Sequence, residues 1–290
     1  MNLHLPVPST NVAFTLFGID VMWYGVCLTT GIVVGALLGY FRAEKYDLRP
    51  RDRLLDILIF AVPISTVAAR LYYVIFEWDS YKNDPGQIFN IRAGGLAIHG
   101  AIIGALLTVL VCSRVMKFSF RKFCDLMAPG FAAGQAIGRW GNYFNQEAHG
   151  TATDLPWGIL IDGEYVHPTF LYESIWCFLI LLFLLLVYEK KWRKNAGQEF
   201  LLYGILYSIE RFFVEGLRTD SLWIGSFRQA QVISVGCVVV FVALFFILNR
   251  YPIRYSDGTV QPEHAEVSAE PGPVMEHPAP NESTKTEEQK

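Results

Sequence analysis

Long apolar stretches alternate along the chain with short segments that carry most of its charged residues. About 20 apolar residues in a helix can cross a bilayer, because a helix pairs its own backbone polar groups. The pattern therefore predicts a polytopic, all-α integral membrane protein with about seven transmembrane helices. The predicted spans are 21–41, 54–76, 96–113, 123–143, 169–188, 200–217 and 230–249.

The fourth and sixth predicted spans are the least apolar of the set. A charged side chain at the bilayer centre costs about 2.5–3.5 kcal/mol on insertion scales, so such residues usually face a cavity or one another. We therefore expect these two spans to carry the functional site. Their polar residues are Asp125, Gln135, Arg139, Glu210, Arg211 and Glu215.

Basic residues are concentrated in three of the connections between predicted spans, at 42–53, 114–122 and 190–194. Lys and Arg accumulate in cytoplasmic loops, and this bias sets the orientation of a membrane protein. The sequence therefore predicts an amino terminus on the outer side of the membrane and a carboxyl terminus in the cytoplasm. The opening apolar stretch is too long for a cleavable signal peptide, and we expect it to remain in the mature chain.

From residue 256 onward the sequence is rich in Pro, Glu, Ser and Thr. Such a segment cannot bury enough apolar surface to offset the entropy of ordering. We predict a transmembrane domain over residues 1–255 and a disordered cytoplasmic tail over residues 256–290. A net charge of −3 provides no basic face for nucleic acid. Motifs for phosphate-binding loops, zinc or a serine nucleophile are missing, so we expect no metal and no cofactor.

One face of the sixth span is strongly polar. Tyr207, Arg211 and Glu215 are spaced i, i+4, i+8, and Arg218 follows three residues later, which places them on one side of a helix. An Arg211–Glu215 ion pair that only locks helix packing is one interpretation. Two arginines exceed what one carboxylate needs, however, and this favours a binding or catalytic role.

The end of the fourth span, residues 138–150, is rich in glycine and polar side chains. Arg139 offers a planar fork for a phosphate, Asn142 and Asn145 offer amide donors, and Glu147 can orient an arginine. This composition suits an anionic lipid head group. The alternative is a capped helix end that faces water.

Two histidines are candidates for proton transfer. His99 is predicted near the outer end of the third span and His167 at the start of the fifth. An imidazole can accept a proton at neutral pH, but a single histidine in an apolar helix is more often a packing residue. With the orientation above, His99, Arg139 and the Arg211–Arg218 stripe all fall on the extracytoplasmic side, which predicts one site there.

The stretch 138–150 resembles the signature of the bacterial prolipoprotein diacylglyceryl transferases, and the similarity extends over about residues 15–250. The sequence has Ala69 where that family often has Gly, Tyr143 where Phe is usual, and a longer polar tail. The other matching segments are Trp23-Tyr24-Gly25, Ala69-Arg70-Leu71, Gly94-Gly95 with His99-Gly100, Asp125 with Pro129, His167-Pro168 with Leu171-Tyr172-Glu173, and Tyr207 with Arg211, Glu215 and Arg218.

The resemblance implies an enzyme of the bacterial inner membrane that moves the diacylglyceryl group of phosphatidylglycerol to the lipobox cysteine in a prolipoprotein signal peptide, releasing glycerol phosphate. Membrane lipids are its other expected partners. A transporter or flippase for an anionic lipid is the alternative. The implied catalytic residues are His99, Arg139, Tyr207 and Arg211. The residues assigned to substrate binding are Tyr24, Arg70, Asn142, Asn145, Glu147, His167, Glu215 and Arg218.

Overall fold

A computed structural model describes residues 6–91 and 94–256, and all but the first residue of the predicted tail lies outside them. The described chain is mostly helical. Three short antiparallel hairpins, which hydropathy did not predict, pair β1 with β2, β3 with β4 and β5 with β6. The helices are α1 Trp23–Arg42, α2 Arg53–Phe76, α3 Trp78–Tyr81, α4 Ile98–Val115, α5 Phe120–Asn145, α6 Thr169–Phe183, α7 Gln198–Glu215 and α8 Gln229–Arg250. The strands are β1 Val12–Leu16, β2 Ile19–Met22, β3 Ile159–Ile161, β4 Glu164–Val166, β5 Trp223–Ile224 and β6 Phe227–Arg228.

Every predicted span falls on a long helix, with ends displaced by a few residues. Within the described residues, five helices are long and apolar enough to cross a membrane: α1, α2, α4, α6 with its π-helical continuation Leu184–Trp192, and α8. The chain is thus a multi-pass membrane protein. Helices α5 and α7 do not meet the same criterion, because polar residues interrupt them. Their crossing, and hence a total of seven spans, stays a prediction.

Glycines bring the first and fifth helices into close contact. A Cβ placed on Gly31 would lie 3.0 Å from the carbonyl oxygen of Gly134, and one on Gly35 would lie 3.0 Å from that of Gly130. Side chains at these positions would push the helices apart, so these glycines allow close packing, as small residues do at helix interfaces in membranes. Gly138 differs, since a Cβ there would meet nothing within 4 Å.

A buried polar network, which we call the basal network, joins the end of α1 to the start of α7. It consists of Arg42, Tyr46, Asp125, Glu199 and Tyr255. Asp125 is fully buried and accepts hydrogen bonds from the backbone nitrogens at positions 197 (2.6 Å) and 200 (2.8 Å) and from the Tyr255 hydroxyl. Arg42 pairs with Glu199 at 2.9 Å. The carboxylate of Asp125 therefore caps α7 and fixes the depth of α7 against α5.

The segment after α8 returns to the basal network. The hydroxyl of Ser256 and the ammonium of Lys122 both donate to Asp47. Burial opposes ionisation of Asp47, but these donors outweigh it and lower the pKa of its carboxyl. The pKa of the neighbouring Tyr255 phenol is raised, and burial is the largest cause. This end of the bundle is thus closed by paired groups, and the functional candidates lie at the opposite end of α5.

Candidate active site

The far end of α5 forms one wall of the site. The helix ends at Asn145, and Gln146 follows in a left-handed conformation (φ 54°), with its backbone N–H bonded to the last turn. This reversal directs the chain back over α6 and α7. Arg139 lies less than two turns before the helix end, and its side chain points toward both of those helices.

One buried carboxylate on α6 gathers three arginines from different parts of the chain. Glu173 is only 1% exposed. Arg139 pairs with its Oε2, while Arg211 (3.4 Å) and Arg218 (3.7 Å) approach its Oε1. We call Arg139, Glu173, Arg211 and Arg218 the arginine cluster. The carboxylate thus holds three guanidinium groups close together through ion pairs.

The predicted polar face of α7 is confirmed, and it faces the cluster. Arg211 pairs with Glu215 at 2.7 Å, one turn along the same helix. Arg139 Nη2 donates to the Tyr207 hydroxyl at 3.5 Å. Glu215 and the Tyr207 phenol therefore both contact guanidinium groups; the spacing indicated the Arg211–Glu215 pair but not the contact of Tyr207 with Arg139.

Arg218 follows the end of α7 and is held from outside the helix. It donates to Asp220 through two nitrogens, at 2.9 and 2.6 Å. These hydrogen bonds lower the pKa of the Asp220 carboxyl below its usual value. A fork of this kind restricts the planar guanidinium to one orientation. Arg218 is thus fixed between Asp220 and Glu173.

The polar residues after Arg139 form a second group at the exit of α5. Glu147 Oε1 accepts from the side-chain amides of Asn142 (2.9 Å) and Asn145 (3.4 Å). The Tyr24 ring lies over Gly141, where an added Cβ would come within 2.7 Å of it. Four residues predicted to bind the lipid head are therefore close together, and Glu147 orients both amides.

Backbone contacts tie the loop after α5 to the two helices that carry the other cluster residues. Gly150 N–H donates to the carbonyl of His167 (2.9 Å), and the next N–H, at position 151, donates to that of Leu217 (2.9 Å). A Cβ on Gly150 would lie 2.7 Å from the Cβ of His167. Only glycine fits this crossing. The loop thus fixes the start of α6 and the exit of α7 relative to α5.

His99 and Arg70 lie on the α2–α4 side of the bundle. His99 is exposed in the first turn of α4, with its ring 5.9 Å from that of Tyr72. Within the described residues, no hydrogen bond joins His99 to the arginine cluster. Arg70 is buried, and its guanidinium donates to five backbone carbonyls between Gln87 and Gly95. Arg70 therefore shapes the loop that leads into α4.

His167 lies just before α6 begins, at the end of the loop that follows α5. Its Nδ1 lies 3.2 Å from the hydroxyl of Tyr172, which also accepts from Trp157 Nε1 at 2.9 Å. His167 therefore lies against Gly150 rather than against an arginine of the cluster.

Glu173 was not predicted as a site residue from the sequence. It stood in a segment that matched the family, but its span is otherwise apolar and no charged neighbour on α6 marked it. The available signal was the polar face with Arg211, Glu215 and Arg218, where two arginines outnumber the single carboxylate. Glu210 is a further buried acid, at 5% exposure, and within the described residues neither of its oxygens has a hydrogen-bond partner.

The arginine cluster retains capacity for an anion. Arg139 and Arg211 are each 20% exposed. In the described part of the chain, Nε and Nη1 of Arg139 and Nε of Arg211 donate to no protein group. Guanidinium nitrogens with unused donors can form charge-assisted hydrogen bonds to a phosphate. No three metal-ligating side chains come together among the described residues. The geometry defines a multi-pass membrane protein with a largely buried arginine cluster whose guanidinium groups keep unused donors.

Comparison with known proteins agrees with this class. The model of the prolipoprotein diacylglyceryl transferase family matches residues 11–247. A phosphatidylglycerol–prolipoprotein diacylglyceryl transferase of Finegoldia magna is 52% identical over 81% of this chain and 94% of its own length. Proteins with the same name from Clostridioides difficile (50% identity, 83% and 96%) and Bacillus cytotoxicus (47%, 84% and 94%) are also similar. The chain belongs to the prolipoprotein diacylglyceryl transferase family, and it is a transferase.

Replacement of the central carboxylate tests the cluster. We expect Glu173→Gln to lower the free energy of unfolding by about 3 kcal/mol, because three guanidinium groups then lose a shared buried counter-charge. Thermal unfolding of the detergent-solubilised protein measures this change. Glu164→Gln, in the exposed strand β4, is the control and should unfold like the wild type. An unchanged unfolding temperature for Glu173→Gln would show that the cluster does not depend on this residue.

Proposed function

We propose that this transferase moves the diacylglyceryl group of phosphatidylglycerol to the thiol of the lipobox cysteine of a prolipoprotein. The product is a thioether, the leaving group is glycerol phosphate, and the reaction is the first step of bacterial lipoprotein maturation. The observation that carries the proposal is the convergence of Arg139 and Arg211 on one buried carboxylate. Relatives that match over most of this chain carry names that specify the same two substrates.

In the proposed complex the lipid phosphate binds the free donors of Arg139 and Arg211. Glu173 and Glu215 hold the other nitrogens of these side chains, so the forks are oriented before the lipid arrives. Pre-oriented cations stabilise charge that develops on a leaving group, because they need little reorganisation during the reaction. Asn142 and Asn145, held by Glu147, would donate to oxygens of the glycerol or the phosphate.

The reaction forms a bond between the cysteine sulfur and a glycerol carbon and breaks the bond from that carbon to a phosphate oxygen. The thiol proton must leave for the sulfur to attack as thiolate. His99 is the proposed base, since its imidazole is exposed and histidine is the side chain that most often serves as a general base. The glycerol phosphate departs with the electrons of the broken bond, and the arginine cluster offsets the added negative charge.

We propose seven spans in the bacterial inner membrane, with the amino terminus outside and the active site toward the extracytoplasmic side. The basic connections, including Lys45, Lys122 and Arg193, lie at the end of the basal network. Because α5 runs from that end to the arginine cluster, a cytoplasmic position for the basic loops would put the cluster outside.

Loss of either clamping arginine should abolish most of the transfer. We expect Arg139→Ala and Arg211→Ala each to lower kcat/KM by about 100-fold or more, the usual cost of removing one charge-stabilising donor. The assay follows thioether formation on a lipobox peptide with purified protein and phosphatidylglycerol. The control is Arg114→Ala, because Arg114 is exposed in the last turn of α4, at the end of that helix far from His99. Turnover by both variants at the wild-type rate, or movement of intact lipid without peptide modification, would refute the proposal.

The role of His99 has a test of its own in the same assay. We expect His99→Ala to reduce turnover strongly while insertion and thermal stability stay unchanged, because the exposed ring contributes little to packing. The remaining activity should rise with pH as the thiol ionises without help. If His99→Ala turns over near the wild-type rate at neutral pH, His99 is not the base, although the transferase activity itself would stand.

The proposed orientation is tested in intact cells. Reporter fusions placed after Arg53 and after Glu77 flank α2 and should report opposite sides of the membrane. We expect the first in the cytoplasm and the second outside, because basic residues are concentrated before α2. The opposite result, or two reporters on one side, would contradict the orientation.

A further inference from the structure

The guanidinium group of Arg228 lies against the end of α7. Arg228 is half-buried in β6, immediately before α8 begins. Its Nη1 donates to the backbone carbonyls of Glu215 and Arg218, the second at 2.7 Å. The same nitrogen donates to the hydroxyl of Ser221 at 3.0 Å. One side chain thus joins three positions of the segment that leaves α7.

The end of α7 needs a group of this kind. The last carbonyls of a helix have no partner within the helix, and the aligned peptide dipoles make that end partially negative. Helix α7 ends at Glu215, and its last turn carries no basic side chain. A cation is favourable at this position. Arg228 supplies it from the next element of the chain and therefore acts as a cap for α7.

The two capped carbonyls belong to residues whose side chains contribute to the site. Glu215 pairs with Arg211 at 2.7 Å, and Arg218 lies 3.7 Å from Glu173. The direct backbone hydrogen bond from Arg218 N–H to the Glu215 carbonyl is long, at 3.3 Å. By donating to both carbonyls, Arg228 reinforces the spacing between these two residues.

The contacts of Arg228 differ from those of the arginine cluster. Within the described residues, Arg228 makes no ion pair with a carboxylate, whereas each arginine of the cluster pairs with Glu173. The guanidinium carbon of Arg228 also lies 5.4 Å from the centre of the Trp223 ring, within the range of a cation–π interaction. Arg228 therefore holds the path of the chain rather than balancing an acidic side chain.

We propose that Arg228 is a positioning residue of the active site, which places Glu215 and Arg218 by capping α7. Arg211 and Glu173 are oriented in turn, because they pair with these two side chains. The inference rests on the proposed function, since that function gives the cluster a leaving group to stabilise. Misplacement of a catalytic group by about 1 Å can lower a rate by about 100-fold, so a distant cap can affect turnover.

Transfer kinetics with a lipobox peptide test this role. We expect Arg228→Gln to lower kcat by about tenfold and to leave KM for phosphatidylglycerol nearly unchanged, because orientation is lost rather than substrate contact. Arg228→Lys keeps a cation and donors at the helix end and should recover most of the loss. Arg250→Gln, the same substitution in the exposed last turn of α8, is the control and should turn over like the wild type. An unchanged kcat in Arg228→Gln, or no recovery in Arg228→Lys, overturns the proposal.

Hydrogen exchange, followed by mass spectrometry, tests the cap without turnover. The amides of Gly216, Leu217 and Arg218 donate to carbonyls in the last turn of α7. We expect them to exchange about fivefold faster in Arg228→Gln, because the uncapped turn opens more often, while α5 and α6 exchange as in the wild type. Unchanged exchange at the end of α7 would overturn the proposal. Faster exchange throughout the bundle, or loss of folded protein, would also overturn it, because Arg228 would then be a general stabiliser.

Failure of this inference and failure of the proposed function have different signatures. If the chain does not catalyse the proposed transfer, the wild type forms no thioether, but the exchange difference between the wild type and Arg228→Gln remains. If Arg228 does not position the site, the wild type still forms the thioether, and Arg228→Gln does so at the same rate.

Discussion

The ion pairs of Glu173 are the interaction on which the site depends. A buried arginine without a counter-charge is costly, and this chain brings three largely buried arginines together. A carboxylate that is 1% exposed on α6 serves all three at once. The carboxylate offsets the mutual repulsion of the guanidinium groups. Its ion pairs also hold α6 against α5 and α7, the two helices on which α6 packs. The pairing leaves donors on Arg139 and Arg211 free for a substrate anion.

The rest of the fold fixes the depth at which these groups meet. Glycine contacts set α1 against α5, and Asp125 caps α7 at the basal network. The loop after α5 crosses the other two helices at Gly150, where only a hydrogen side chain fits. Three separate constraints therefore act on α5 and α7. They are the glycine contacts along α5, the Asp125 cap at the start of α7, and the Gly150 crossing after the end of α5. Misplacement by a single helical turn, about 5.4 Å, would separate the ion pairs of the cluster.

Much of this arrangement follows from the sequence because it depends on local spacing. Hydropathy predicted the positions of the helices, and the i, i+4 spacing predicted the Arg211–Glu215 pair. The role of Glu173 did not follow, because its partners lie on other helices. Arg70 shows the same limit, since its five backbone acceptors are set by the path of a loop. The three hairpins were missed for a further reason: strands this short have no period in an apolar pattern.

An experimental structure with phosphatidylglycerol bound is the most direct test that the arginine cluster is the head-group site. We expect phosphate oxygens at about 3 Å from nitrogens of both Arg139 and Arg211, with Glu173 still in contact with the two side chains. A phosphate bound at other residues, while both guanidinium groups contact only carboxylates and Tyr207, would contradict the account.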